Sequence, residues 1–283
     1  MKNLESLVNL KTYKVSIIVP VVNQAKLTIK CFDSVKQNTE MSYEIIWVDN
    51  GSKSSEFEKI YTHCMEQKII FKLLRFGENQ GFVKGINSAI PYISKNSKFI
   101  VLLNNDTEIG SRTFEKMIYP LFDKTVGATS CVTQSNIAWQ SYSNLASSKL
   151  FPSLKFPKKT GTNEQYSKDL EKAFKNKYID INSTLRTKDL PLSFFCVAFR
   201  KEVFCDELNG LDPNIEIGLG DDDLACAKLR QMGYKLVLCL DAFCYHHHRT
   251  TFKDLNINVD SLRRKNIKVL RKFFHVQEIC SRR

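Results

Sequence analysis

A run of five apolar residues, Phe99-Ile100-Val101-Leu102-Leu103, stops abruptly at Asn104-Asn105-Asp106-Thr107. Such a run reads as a buried strand, and a buried strand commits the chain to a sheet covered by other elements. In an open α/β sheet, ligands sit just beyond the carboxyl ends of the strands. Asp106, flanked by two amides, then suits a diphosphate and its divalent metal. The plainer alternative is a strand closed by an Asn/Asp turn.

The segments around it support the sheet. Lys14–Pro20 is a β-branched run closed by proline, Tyr43–Val48 is a second strand, and Ile69–Leu74 is a third. Between them, residues 26–37 carry Leu27, Cys31 and Val35 at helical spacing. Residues 55–66 follow a capping Ser54, and residues 81–90 open on a glycine. Short strands alternating with helices predict parallel βαβ units. The region from about Ser135 to Pro191 is polar, lysine-rich and weakly periodic, and reads as an insertion with one helix over 163–176. Apolar character returns at Leu192–Phe199, followed by a helix over 220–233 and a strand over 234–240. Residues 260–274 form a basic amphipathic helix whose Leu262, Ile267, Val269, Leu270 and Phe273 share a face. The expected division is 1–110 for nucleotide binding, 111–259 for acceptor binding and catalysis with the insertion near 135–191, and 260–283 for the basic helix.

Composition narrows the partners. The formal charge is +12 over 283 residues, which calls for an anionic partner: nucleic acid, a membrane surface or a phosphorylated small molecule. No stretch reaches the roughly 18 consecutive apolar residues of a membrane helix. Residues 1–14 have no apolar core and no cleavage site of a secretory signal. The nine cysteines are scattered, with no Cys-x-x-Cys pair, so reduced buried thiols in a cytoplasmic protein are expected rather than a zinc site.

Four strand ends carry polar groups that can converge: Pro20-Val21-Val22-Asn23, Asp49-Asn50-Gly51-Ser52, the stretch from Gly77 to Asn87, and Asn104-Asn105-Asp106. A carboxylate at Asp49 can accept from a nucleobase imide or amine; the other role for it is in a turn or cap. The glycines of the third segment allow close backbone approach, and a helix start there favours phosphate. Farther on, Gly218-Leu219-Gly220-Asp221-Asp222-Asp223-Leu224 places three acids at a helix start, which suits the helix dipole but exceeds what capping needs.

The order VSIIVPVVN, EIIWVDNGS, ENQGFVKGIN, LLNNDT and GDDDLACAKLRQMGYKL resembles the family 2 glycosyltransferases of GT-A fold, in particular the rhamnosyltransferase-like group that builds bacterial surface polysaccharides. The resemblance covers residues 15–105 and 195–248. It implies an α/β, Rossmann-like fold with a mostly parallel sheet flanked by helices. It also implies an inverting transfer of a sugar from a nucleotide-diphosphate donor to a hydroxyl of a glycan or lipid-linked glycan. By this resemblance Pro20, Val21, Asn23 and Asp49 line the nucleotide pocket, and Gly81, Lys84, Asn104 and Asn105 lie near the donor. Asp106 matches the last carboxylate of the family's Asp-x-Asp motif for Mn²⁺ or Mg²⁺, with Asn104 replacing the first. An amide is a weaker ligand for a hard cation. Asp221 aligns with the general base and Asp222 is one register away, because Gly220 stands where the family has Glu. His246, with His248 as runner-up, aligns with a metal or diphosphate contact. Neighbouring side chains diverge, so the three adjacent histidines cannot share one site.

The basic C-terminal helix either holds the protein against anionic inner-leaflet lipids or packs with a solvated charged face. Two other readings stand beside the enzyme. One is a catalytically silent GT-A scaffold, allowed by Gly220 and Asn104. The other is a nucleic-acid-binding protein, which the charge favours but the lack of interleaved basic and aromatic residues opposes. A nucleotidyltransferase is excluded, since Pro20-Val21-Val22-Asn23 offers no glycine-rich basic loop after the first strand.

Overall fold

The alternating signals of the first third become the parallel half of one sheet. The computed structural model describes residues 13–134, 139–147, 151, 154–157, 161–183, 190–215, 218–247 and 259–271. Strands β1 (Lys14–Val21), β2 (Ser42–Asn50), β3 (Phe71–Phe76) and β4 (Ser97–Leu103) run parallel in the order β3-β2-β1-β4. They are joined by helices α1 (Ala25–Asn38), α2 (Ser54–Glu66) and α3 (Phe82–Ser88). Since β2 and β4 flank β1 on opposite sides, the winding reverses at β1, and the strand ends open a crevice there.

The second half contributes β5 (Thr107–Ile109), β6 (Val126–Thr133), β7 (Tyr178–Asp180), β8 (Cys196–Arg200) and β9 (Lys235–His246). The sheet continues from β4 through β8, β6 and β9 to β5, with β7 also pairing β9. Here β6 and β9 are parallel, whereas β8, β5 and β7 run antiparallel to their neighbours. Helices α4 (Thr113–Ile118), α5 (Tyr142–Ser147), α6 (Asn163–Phe174), α7 (Asp221–Gln231) and α8 (Val259–Leu270) complete the fold.

Each central strand is buried on both faces and feeds two cores by turns. Ile18, Ile46, Val48, Ile100 and Leu102 enter one, with residues of α3, α6 and α7. Ile17, Val19, Ile45, Trp47, Val101 and Leu103 enter the other, with residues of α1, α2 and α4. This division is the period of two expected of a strand. A buried polar cluster ties β1 to β2 at the far end of the sheet. Glu44 accepts from Ser16 Oγ at 2.6 Å, Ser94 N at 2.9 Å and Ser94 Oγ at 2.7 Å, with Lys72 Nζ at 3.0 Å.

The clearest departures from the sequence expectation are β3, β6 and β9. Strand β3 starts at Phe71, two residues late, because α2 ends through a left-handed Lys68 and Ile69 N bonds back to Cys64 O. Strand β6 has no continuous apolar run, yet all eight residues are buried; Thr129 and Ser130 spend their hydroxyls on Met117 O and Cys196 O. Strand β9 extends beyond residue 240 and carries Asp241–His246 within the sheet. Eight cysteines are free among the described residues. Cys131, Cys196 and Cys244 bring their sulfurs within 4.8 Å of one another inside the core.

Candidate active site

The ends of β1 and β2 are stitched together. Asn23, in a left-handed conformation, donates its backbone N–H to Ser52 Oγ at 2.8 Å, and its Oδ1 accepts from Lys53 N at 2.9 Å. Val21 is buried and pairs in register with Asp49, while Pro20 is half-buried. Asp49 is fully buried, accepts from Ser52 N at 3.2 Å, and has Arg75 Nε at 3.0 Å from its other oxygen. Arg75 stands opposite Asp49 on β3, and its guanidinium lies 3.8 Å from the centre of the Phe57 ring. A carboxylate this deep needs a countercharge, and Arg75 supplies it. Sequence reasoning missed Arg75; its only signal was a lone basic residue in the third strand.

The next strand end is organised by amides. Asn50 Nδ2 donates to Asn79 Oδ1 and to Gly81 O, both at 3.0 Å, while Asn50 Oδ1 accepts from Gln80 N at 2.8 Å. Gly51 is at φ 82°, and a Cβ there would sit 2.5 Å from the Glu78 carbonyl carbon, so only glycine allows this approach. The network holds Gly81 at the start of α3. Lys84 is exposed and donates to Gln80 Oε1.

At the end of β4 the three residues of Asn104-Asn105-Asp106 part company. Asp106 Oδ1 lies 3.1 Å from His246 Nε2, and Asn104 Nδ2 lies 3.4 Å from the same nitrogen. Asn105 turns the other way, donating to Thr28 Oγ1 of α1 at 2.9 Å in a buried contact. The β5–β9 pairing sets Thr107 against His246, and His247 N donates to Asp106 O at 2.9 Å. Phe195 stacks on the His246 ring at 5.2 Å. His247 points elsewhere, to Glu108 Oε1 at 2.7 Å. His248 lies outside the described residues. Asp106 and His246, 140 positions apart, therefore meet.

The acidic triplet opens α7. Asp221 is 8% exposed, and Asp222 and Asp223 are half-buried. A Cβ on Gly218 would lie 3.6 Å from both Asp221 Oδ1 and Phe82 Cβ, which places the Asp221 carboxylate beside the start of α3. Asn87 of α3 clamps the preceding segment, donating to Leu211 O at 2.7 Å and accepting from Leu211 N at 2.8 Å. Thus α3 begins at the Asn50 network, and its Phe82 lies beside Gly218, just ahead of the acidic triplet. Burial, with the charge of Asp223 adding to it, pushes the Asp221 carboxyl up to about 6. Burial pushes Asp222 up as well, and its Oδ1 accepts from Asp223 N at 2.9 Å. Gly220 sits at φ 105° with Leu270 Cδ1 3.0 Å from where a Cβ would be, so a Glu at this position would be strained.

A doubly wound sheet with buried acids at its strand and helix ends defines the chain as an α/β protein of the open, mostly parallel class. The family model "Glycosyl transferase family 2" matches residues 16–205, and the chain belongs to that family. Among curated proteins it is 25% identical over 239 residues to O-antigen chain rhamnosyltransferase RfbN of Salmonella typhimurium, covering 84% of this chain and 68% of that one. The fold is that of GT-A glycosyltransferases. A mannosyltransferase from Pyrobaculum calidifontis, solved with GDP-Man and Mn²⁺, matches with TM-score 0.57 at 19% identity over 85% of this chain and 59% of that one. GalNAc-T7, solved with UDP, GalNAc and Mn²⁺, matches with TM-score 0.57 at 16% identity over 82% and 43%. The chain thus spans roughly half of each of these solved chains.

Proposed function

We propose that the chain is an inverting glycosyltransferase that moves a sugar from a nucleotide-diphosphate donor to a hydroxyl of a lipid-linked surface glycan on the cytoplasmic face of a membrane. The observation that carries this reading is the meeting of Asp106 with His246 at one strand end while the buried Asp221 lies against α3, itself tied to the donor-side strand ends.

Asp49, flanked by Val21 and Pro20 and held by Arg75, would take the nucleobase. Asp106 and His246 offer a carboxylate oxygen and an imidazole nitrogen 3.1 Å apart, a donor set that suits Mn²⁺ or Mg²⁺, and the neighbours solved with Mn²⁺ support it. Such a cation, when bound, offsets the charge that builds on the diphosphate. Asp221 takes the proton of the acceptor hydroxyl as its oxygen bonds to the anomeric carbon. The carbon–diphosphate bond breaks on the opposite face, its electron pair leaves with the nucleoside diphosphate, and one displacement inverts the centre. Gly220 has its own conformational reason, so the missing Glu does not argue for a silent scaffold. Asn104 lies close enough to His246 to help orient it.

On α8, Arg264, Lys265, Lys268 and Arg271 are exposed, while Leu262 and Asn266 are buried against the protein. The helix therefore packs and still turns a basic face outward, where anionic lipid would meet it. Among the described residues no helix is long and apolar enough to cross a membrane. The test is a screen of UDP-, GDP- and dTDP-sugars, reading released nucleoside diphosphate with and without Mn²⁺. Metal-stimulated turnover of one donor class is expected. Binding of nucleotide with no turnover of any donor would favour the scaffold, and tight salt-dependent RNA or DNA binding without nucleotide affinity would favour the nucleic-acid reading.

A further inference from the structure

The backbone just before Asp221 is in a conformation that needs outside support. Gly218, Leu219 and Gly220 lie at φ 103°, 65° and 105°. Glycine adopts such angles freely, but Leu219 does not. A strained backbone of this kind persists where its surroundings over-determine it.

The support comes from α8. Asn266 is 1% exposed, and its Nδ2 donates to Gly218 O at 2.6 Å and to Leu219 O at 3.0 Å. Both hydrogens of one amide are thus spent on two successive carbonyls of the left-handed turn. One helical turn later on the same face, Leu270 closes on Gly220, with Cδ1 3.0 Å from the position a Cβ would take. Just beyond this turn, Asp221 Oδ1 lies 3.6 Å from the position a Cβ on Gly218 would take, so the carboxylate folds back over the held segment. The strained Leu219 and the glycine before it are therefore both held at their carbonyls by α8.

We propose that Asn266 is a positioning residue for the catalytic loop, fixing Gly218-Leu219-Gly220 so that Asp221 is aimed at the acceptor hydroxyl. The C-terminal helix is then part of the transfer machinery and not only a basic surface. The proposal rests on the reading of Asp221 as the base. A base displaced by about 1 Å costs on the order of 100-fold in rate, so the contact should act on turnover and leave the donor site untouched.

The test uses the full chain. Asn266→Leu keeps the volume and removes both donors; Asn266→Ser is a milder change that keeps one donor, should Asn266→Leu not fold. Turnover is read as nucleoside diphosphate released from UDP-, GDP- and dTDP-sugars, and donor-site integrity as calorimetric binding of UDP, GDP and dTDP with Mn²⁺. Asp221→Asn is run alongside. The expected result is a roughly 10- to 100-fold fall in kcat for Asn266→Leu, with donor KM and nucleotide Kd within about twofold, and an intermediate kcat for Asn266→Ser. A kcat within twofold of the parent for whichever variant folds overturns the proposal, as does an equal loss of nucleotide affinity, which a merely structural role would give. If Asp221→Asn itself keeps full kcat, the base assignment fails and the proposal falls with it. A dead Asp221→Asn beside an unaffected Asn266→Leu removes the positioning role alone.

Discussion

Lowering the pH should switch the enzyme off far earlier than an ordinary aspartate base would allow. Burial and the neighbouring Asp223 raise the Asp221 carboxyl to about 6, against about 3.9 for an unperturbed Asp. A base must be ionised to accept a proton. With a value of 6, roughly 91% of Asp221 is ionised at pH 7 and roughly 9% at pH 5, a loss of about tenfold in kcat/KM. With an ordinary value, more than about 90% would still be ionised at pH 5. The assay is kcat/KM for the donor selected by the screen, from pH 4.5 to 8.5 at fixed ionic strength, with binding of the matching nucleoside diphosphate and the folded fraction followed at each pH. An acid limb with its midpoint near 6, while nucleotide still binds, is the expected result. A profile flat to pH 5 would refute the assignment of a desolvated Asp221 as base.

Other consequences can be checked separately. Arg75→Met should leave Asp49 as an uncompensated buried charge; since Arg75 is itself partly exposed, a loss of about 1–3 kcal/mol in denaturant unfolding is expected, with weaker nucleotide binding. Gly220→Glu, which restores the family residue, should lower rather than raise turnover, because φ 105° and the Leu270 contact oppose any side chain there; its melting temperature and kcat should both fall. Glu44 is pushed up by burial but pulled down further by hydrogen bonds from Ser16, Ser94 and Lys72, ending at about 2. Its folded value lies below the unfolded one of about 4.3, so its stabilisation of roughly 3 kcal/mol is complete above that pH and is lost as pH falls toward 2. The gap in unfolding free energy between the parent and Glu44→Gln should therefore shrink by about half between pH 7 and pH 3.

What could be read from the chain alone follows from how local each signal is. Strands β1, β2 and β4 are continuous apolar runs and announce themselves. Strand β6 does not, because Gly127, Thr129 and Ser130 hide a buried strand behind small and polar residues whose partners are remote in sequence. Strand β5 has three residues, too few to show a period. Within the site, Asp49, Asp106 and Asp221 stood out as acids at strand or helix ends. Their supports did not: Arg75 beside Asp49, Asn87 on Leu211 and Asn266 on the 218–219 carbonyls are long-range pairs that leave no periodic trace. Burial also separates residues that the chain leaves equivalent. Asn105 looks like Asn104 in sequence, but the twist of the chain after β4 sends it to Thr28. Asp221 looks like Asp222, but Asp221 is buried beside Gly218 whereas Asp222 is half-buried.

The proposed mechanism divides the labour between two carboxylates, Asp106 holding the donor and Asp221 removing a proton. Calorimetric titration of the selected nucleoside diphosphate with Mn²⁺, paired with a transfer assay on Asp106→Ala and Asp221→Asn, tests it most directly. Asp106→Ala is expected to lose nucleotide binding, whereas Asp221→Asn should bind as the parent does and transfer at least about 100-fold more slowly. Normal transfer by Asp221→Asn, or undiminished metal-dependent binding by Asp106→Ala, would contradict it; normal transfer by Asp221→Asn with loss in Asp222→Asn would move the base by one residue.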